Sequence, residues 1–219
     1  MNDDILNKNQ AAFLKKCGQN KFIRKNFYLT GGTVLAAFYL RHRYSEDLDF
    51  FSENEFNVLS LDVFLNQSRK ELGIIKIDYQ QSFNRNLFFL HFKGEILKIE
   101  FTFFPFARID VGTPKYHLEV DSILDIAVNK LFSIYQRTQA RDYIDLYCLH
   151  EKMKFSMVDL IKKVKIKFDW HIDPLQLGAQ FMKAREAKDY PRMIKKIDDK
   201  EWQNFFIKEA SKLKKEILR

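Results

Sequence analysis

The sequence predicts an α+β protein: a mixed β-sheet flanked by helices over residues 1–115, then a helical bundle over residues 116–219. Three observations carry this. Strand-like runs gather before residue 104. After Pro105 and a loop holding Gly112 and Pro114, the pattern changes to long amphipathic stretches. No internal repeat, low-complexity segment or flexible linker lies between the halves, so they are expected to pack as two lobes around a cleft. With 219 residues and 46% hydrophobic composition, the chain can bury a sizeable core.

The elements follow in order. Met1 to Lys25 reads as a polar helix anchored by Ile5, Phe13 and Leu14, and Phe27-Tyr28-Leu29-Thr30 as a short strand. Gly31-Gly32 breaks that strand. Val34, Leu35 and Phe38 then recur at helical spacing between Thr33 and Arg43, and Ser45 to Phe51 alternates as a strand does. Leu59–Leu72 reads as a helix, and Ile74–Tyr79, Leu87–Phe92 and Ile96–Phe104 as strands, the last two joined by Lys93-Gly94-Glu95. Helices are expected at Ser122–Gln136, Ala140–Glu151, Met157–Lys167, Leu175–Ala187 and Lys200–Leu218.

Charge and composition exclude some classes. No apolar run approaches the roughly 20 residues that cross a bilayer, and the first thirty residues do not have the form of a signal peptide, which predicts a cytoplasmic protein without a membrane partner. Cys17 and Cys148 match no metal-ligand spacing and are read as incidental thiols. Net charge is +8, and residues 151–219 hold 18 Lys/Arg against 11 Asp/Glu, so +7 of it lies in the last third. A basic end invites a polyanion, although a lysine-rich helix often has only a solvated face. Lys162, Lys163 and Lys167 are read as one such basic face, opposite Ile161 and Phe168.

The segment richest in chemistry is Leu29-Thr30-Gly31-Gly32-Thr33-Val34-Leu35, followed by His42-Arg43-Tyr44-Ser45-Glu46-Asp47-Leu48-Asp49-Phe50-Phe51. A Gly-Gly turn opening a helix lets the backbone approach a ligand, and the N–H groups of the first turn with the Thr33 hydroxyl offer donors to phosphate oxygens. Asp47 and Asp49, two apart on a strand, put both carboxylates on one face with Leu48 and Phe50 behind them. Two like charges so placed call for a cation, and Mg²⁺ favours carboxylate and phosphate oxygens, two such ions serving phosphoryl or nucleotidyl transfer. Either motif alone is more often a plain turn or strand edge; their order as strand, turn, helix and strand gives them weight.

These residues, Gly31-Gly32-Thr33 with His42-Arg43, Ser45 and Asp47-Leu48-Asp49-Phe50-Phe51, resemble the signature of the AbiEii-type branch of the polymerase-β-like nucleotidyltransferases. The likeness covers about residues 27–150 and implies that the first part has the nucleotidyltransferase fold. It also implies a third carboxylate on a neighbouring strand. In Leu97-Lys98-Ile99-Glu100-Phe101-Thr102, Lys98, Glu100 and Thr102 share a face, and Glu100 is the candidate, as metal ligand or general base; Asp110 in its loop is the fallback. Asp121–Leu131 and Arg141–Tyr147 are similar to the family's helical motifs. By that similarity Lys130 meets the nucleotide phosphates and Asp142 orients Lys130 or the acceptor, whereas Asp145, at i+3 from Asp142 on a nearby helix face, is left out of the site as pairing only with Arg141 or a C-terminal lysine. Arg43 and Ser45 flank the metal strand and support Asp47 or a phosphate.

The resemblance implies a Mg²⁺-dependent enzyme, with two ions and Mn²⁺ as a substitute, that moves a nucleoside monophosphate from a triphosphate to an acceptor hydroxyl. Toxin members act on transfer RNA, so an RNA acceptor and an antitoxin encoded nearby are the expected partners. The alternatives are a nucleotide-binding toxin or regulatory module without efficient transfer, and a small-molecule nucleotidyltransferase of the antibiotic-modifying kind. Which triphosphate is used does not follow from the residues.

Overall fold

The computed structural model describes residues 5–217. The chain divides into two compact units: one takes the chain up to Tyr39 together with Tyr44–Ser122, the other Leu40–Arg43 together with the chain from Ile123 onward.

The first unit is a mixed six-stranded sheet in the order β3-β4-β5-β2-β1-β6. Its strands are β1 (Tyr28–Thr30), β2 (Leu48–Ser52), β3 (Lys76–Ser82), β4 (Arg85–Phe92), β5 (Glu95–Phe103) and β6 (Glu119–Val120). β2 is antiparallel to β1 and parallel to β5, and β6 is parallel to β1. The five expected strand spans fall within a few positions of β1 to β5; β6, two residues long, was not foreseen.

The single helix expected before β1 is instead α1 (Lys8–Gln19) and α2 (Lys21–Asn26); Met1–Asp4 lie outside the described residues. Asn20 makes the break, because its extended backbone (φ −90°, ψ 120°) ends α1 while its side chain accepts a hydrogen bond from the Ile23 N–H and caps α2. α1 opens with a capping box between Asn7 and Gln10.

One face of this sheet carries the core. Phe50 and Phe101 stack at 4.9 Å, Phe27 meets Phe101 edge-on at 4.9 Å, and Phe13 of α1 lies 6.3 Å from Phe50 and 6.1 Å from Phe64 of α4 (Val58–Leu72). All five rings are buried, each worth about 1.5–3 kcal/mol of transfer free energy, so this packing fixes the register of β2 against β5. Gly73, in the left-handed conformation (φ 73°), ends α4.

The second unit is built from α5 (Ile123–Gln136), α6 (Ala140–Met153), α7 (Met157–Phe168), α8 (Pro174–Met182) and α9 (Asp199–Ile217), with a short 3₁₀ turn at Lys183–Arg185; Leu218 of the expected last helix lies outside the described residues. Trp202, Tyr143, Phe206 and Phe181 are fully buried there, and Tyr143 contacts Trp202 at 6.1 Å and Phe206 at 5.0 Å. Among the described residues no helix is long and apolar enough to cross a membrane.

Candidate active site

Gly31 directly follows β1, and its conformation (φ +80°) is one that side chains rarely adopt. A Cβ there would lie 2.1 Å from Asp49 Oδ2, so the absent side chain is the space that the Asp49 carboxylate fills. α3 (Gly31–Val34) starts at this point and continues as a π-helical turn, Leu35–Leu40, in place of the regular helix expected to Arg43. The Thr30 hydroxyl donates to Asp121 Oδ2 at 2.6 Å rather than capping α3, which leaves the start of the helix, with Gly31 and Gly32, uncapped by a side chain.

The register then sets the carboxylates. Asp49 on β2 pairs with Thr30 on β1 and with Glu100 on β5, which puts Thr30, Asp49 and Glu100 in one row across three strands. Leu48 and Phe50 are fully buried on the other face. Asp47, expected on the strand, stands one residue ahead of it. Two contacts keep it out of the ladder. The Thr33 hydroxyl donates to the Asp47 main-chain carbonyl, and Gln10 Nε2 donates to the carbonyls of Ser45 and Glu46 at 3.0 Å each. Thr33 therefore positions Asp47; with its side chain buried, its hydroxyl is not offered to a phosphate as the sequence suggested. Ser45 contributes its carbonyl to the same anchoring.

Both outer carboxylates face cations. Lys98 Nζ lies 2.7 Å from Asp47 Oδ2. Arg85 binds Glu100 in a fork, Nε to Oε1 at 2.7 Å and Nη2 to Oε2 at 2.5 Å, and the Thr102 hydroxyl adds a bond to Oε1 at 2.7 Å. Burial pushes the Glu100 carboxyl up, but Arg85, Thr102 and the charge of Lys98 together hold it below the ordinary glutamate range. Among the described residues no three His, Cys, Asp or Glu side chains converge as a ready-made metal cage. The donor chemistry nevertheless suits a hard divalent cation: carboxylate oxygens only, at a backbone cradle that a Cβ would close. Asp110 lies in an exposed loop, its carboxylate accepting from the Val111 N–H.

In the helical unit the charged residues assemble differently. Asp145, expected from the sequence to pair only with Arg141 or a C-terminal lysine, is fully buried and accepts from Arg43 through Nε at 2.6 Å and Nη2 at 2.8 Å, contacts His42 Nε2 at 2.7 Å, and pairs with Lys130 at 2.7 Å. Lys130 also donates to Asp142 Oδ1 at 2.7 Å, and Arg137 reaches Asp142 Oδ2 at 3.2 Å. Lys130 is thus no free ammonium: a phosphate would compete with two carboxylates for it. Arg43, expected to support Asp47 or a phosphate, is likewise committed to Asp145. Burial pushes both aspartates up, yet Lys130 with Arg43 holds Asp145 well below the usual range, and Lys130 with Arg137 holds Asp142 below it.

Two further expectations change. Lys167 lies on the buried stripe of α7 with Leu160 and Val164, bonded to Asp125 Oδ1 at 2.6 Å, so it does not belong to a solvated basic face; Lys162 does. The thiols of Cys17 and Cys148 are pushed up by burial, Cys148 to about 12, which makes both inert.

A mixed sheet whose Gly-Gly turn faces an aspartate registered beside a glutamate defines the class, a nucleotidyltransferase. The family "Nucleotidyl transferase AbiEii toxin, Type IV TA system" matches residues 13–215, and the chain belongs to it. It is 30% identical over 152 residues to the uncharacterized protein aq_aa25 of Aquifex aeolicus (strain VF5), which spans 67% of this chain and 68% of that protein. The crystal structure of JHP933 from Helicobacter pylori shares the fold with a TM-score of 0.61 at 21% identity, over 95% of this chain and 90% of that one.

Proposed function

We propose that the protein transfers a nucleoside monophosphate from a nucleoside triphosphate to a hydroxyl of an RNA, with Asp47, Asp49 and Glu100 holding Mg²⁺, for which Mn²⁺ can substitute. The observation that carries this reading is the Asp49 carboxylate seated in the space left by Gly31, in register with Glu100. A divalent ion at these oxygens supplies charge stabilisation to the triphosphate and its leaving pyrophosphate. The backbone N–H groups at Gly31 and Gly32 face the phosphates, and Thr33 and Gln10 hold the Asp47 loop in place. Lys130, Asp142 and Arg43 serve this reading as a rigid charged frame of the helical unit, in which Asp145 is the hub. The net charge of +8 supports a polyanionic acceptor, and the family's description supports the role of a toxin countered by an antitoxin, acting in the cytoplasm.

Incubating the purified protein with each labelled triphosphate, Mg²⁺ and total cellular RNA tests the proposal. Label in an RNA band from one triphosphate is the expected result. Label only in protein or in small molecules would move the acceptor to another class, and nucleotide binding without label in any fraction would establish a binding module.

A further inference from the structure

We infer that an open basic pocket at the β6 edge of the sheet binds the phosphodiester backbone of a polynucleotide, as a docking site for the acceptor strand; its role as an acceptor site rests on the transfer proposed above. The cavity has a volume of about 760 Å³, and its lining includes Lys21, Arg24, Lys25, His117, Pro114 and Glu119. That volume lies within the range of functional ligand sites.

Lys21, Arg24 and Lys25 stand at i, i+3 and i+4 of α2, so three like charges share one stripe of a two-turn helix, an arrangement that opposes helix formation. Among the described residues the side chains of Lys21, Arg24, Lys25 and His117 have no ion-pair or hydrogen-bond partner. The acid of the lining, Glu119, is already bound to Arg108, whose Nη2 lies 2.6 Å from Oε2. The pocket is therefore left with uncompensated positive charge.

The wall opposite α2 is fixed. Lys115 and Leu118 exchange backbone hydrogen bonds of 3.1 and 2.8 Å around a two-residue turn, and both turn residues, Tyr116 (φ 54°) and His117 (φ 60°), sit in the left-handed region normally filled by Asn or Gly. The turn is clamped against α1: a Cβ on Gly18 would lie 1.7 Å from the Tyr116 carbonyl oxygen. A strained turn held in place by close packing presents His117 beside the cations.

Lys21 and Lys25 are separated by about 6 Å of helical rise, so the cations span more than one phosphate and suit a strand better than a single phosphate group. The register ties the pocket to the carboxylates. Glu119 pairs with Tyr28 at the start of β1, and Thr30, two residues further along, pairs with Asp49. Those two levels are about 7 Å apart along the strand, and Glu119 and Asp49 stand two strands, about 10 Å, apart across the sheet. A backbone held in the pocket is thereby kept within a few nucleotides of the proposed metal ligands.

The test compares the parent with a Lys21→Glu/Arg24→Glu/Lys25→Glu variant. Binding of a labelled single-stranded oligoribonucleotide is followed by fluorescence anisotropy across a salt series, and ATP and inorganic phosphate are titrated separately. RNA affinity should fall by about tenfold or more, and the slope of log affinity against log salt should become shallower by about 2, since each lost single-strand phosphate contact removes about 0.7. ATP binding should not change. Parental RNA affinity and slope would overturn the inference, and so would an equal loss of ATP binding, which would mark a mononucleotide pocket. Should the reversal variant fail to fold, Lys21→Gln/Arg24→Gln/Lys25→Gln is measured in its place, with the same direction expected. The assay needs no chemistry: absence of transfer in the parent refutes the enzymatic reading and leaves the binding shift to be read, whereas an unshifted variant refutes the pocket alone.

Discussion

The molecule contains two sets of paired charges built on opposite terms. In the sheet unit, Asp47 and its partner Lys98 are about a third exposed, at 33% and 30%, and Arg85 reaches Glu100 from a side chain that is 47% exposed. In the helical unit, Asp145 and His42 are at 0%, Asp142 at 1%, Arg43 at 4% and Lys130 at 11%. Solvated pairs contribute little and exchange partners easily, so Lys98 is a cation that a divalent ion can displace, whereas Arg85 forks onto a Glu100 side chain that is only 6% exposed. Buried pairs cannot be opened cheaply, because each departing partner leaves an uncompensated charge. The first set can take a ligand; the second is suited to framework.

The largest expected effect breaks the comparison on the sheet side. On the proposed metal reading, Asp47→Ala or Asp49→Ala should abolish transfer, while thermal unfolding stays within a few degrees of the parent. Transfer near the parental rate by either variant would refute the metal reading.

On the helical side the effect moves to the fold. Asp145→Asn should cost about 3–5 kcal/mol, since His42, Arg43 and Lys130 lose their shared anion. Urea denaturation gives the number, and a cost below about 1 kcal/mol would place this network with the solvated pairs. The pH dependence has a definite sign. Asp142, Asp145 and Glu100 all have folded-state carboxyls held below their unfolded values, so the stabilisation they give is present above about pH 4 and fades as pH falls below it. Removing Asp145 should flatten that acid limb more than Glu100→Gln does.

The two sets differed equally in how well the sequence exposed them. The Asp47-x-Asp49 spacing, the Gly-Gly turn and the alternation through Glu100 are local signals that survive in a strand pattern, and they located a row of residues that the register then aligned. The Asp145 hub was hidden because its partners His42 and Arg43 lie 103 and 102 residues away, and its spacing from Asp142 looked like a helix surface. Lys167 misled for a related reason: α7 places it on the apolar stripe, and only the contact with Asp125, 42 residues away, makes a lysine tolerable there. Asn20 splitting the first helix and the two-residue β6 leave little trace in periodicity, since capping and edge pairing depend on one or two residues.

The smallest expected effect is the sharpest test of displaceable cations, because it removes Lys98 without touching a carboxylate. Lys98→Met keeps the length and apolar body of the side chain on β5 and deletes only the ammonium that sits 2.7 Å from Asp47. As a solvated ion pair that contact stabilises the fold by about 0–1 kcal/mol, so unfolding in urea should barely shift. Binding of a divalent ion should change in the opposite direction. In the parent the ion must displace the ammonium, whereas in the variant Asp47 has lost this competitor, so Mn²⁺ measured by calorimetry in the absence of nucleotide should bind several-fold more tightly. The same substitution at Lys130, which is buried and held by two carboxylates, should instead destabilise the fold by about 3–5 kcal/mol. Weaker Mn²⁺ binding to Lys98→Met, together with a fold cost as large as that at Lys130, would mean that Lys98 organises Asp47 rather than standing in for a metal, and the contrast between the two sets of charges would collapse.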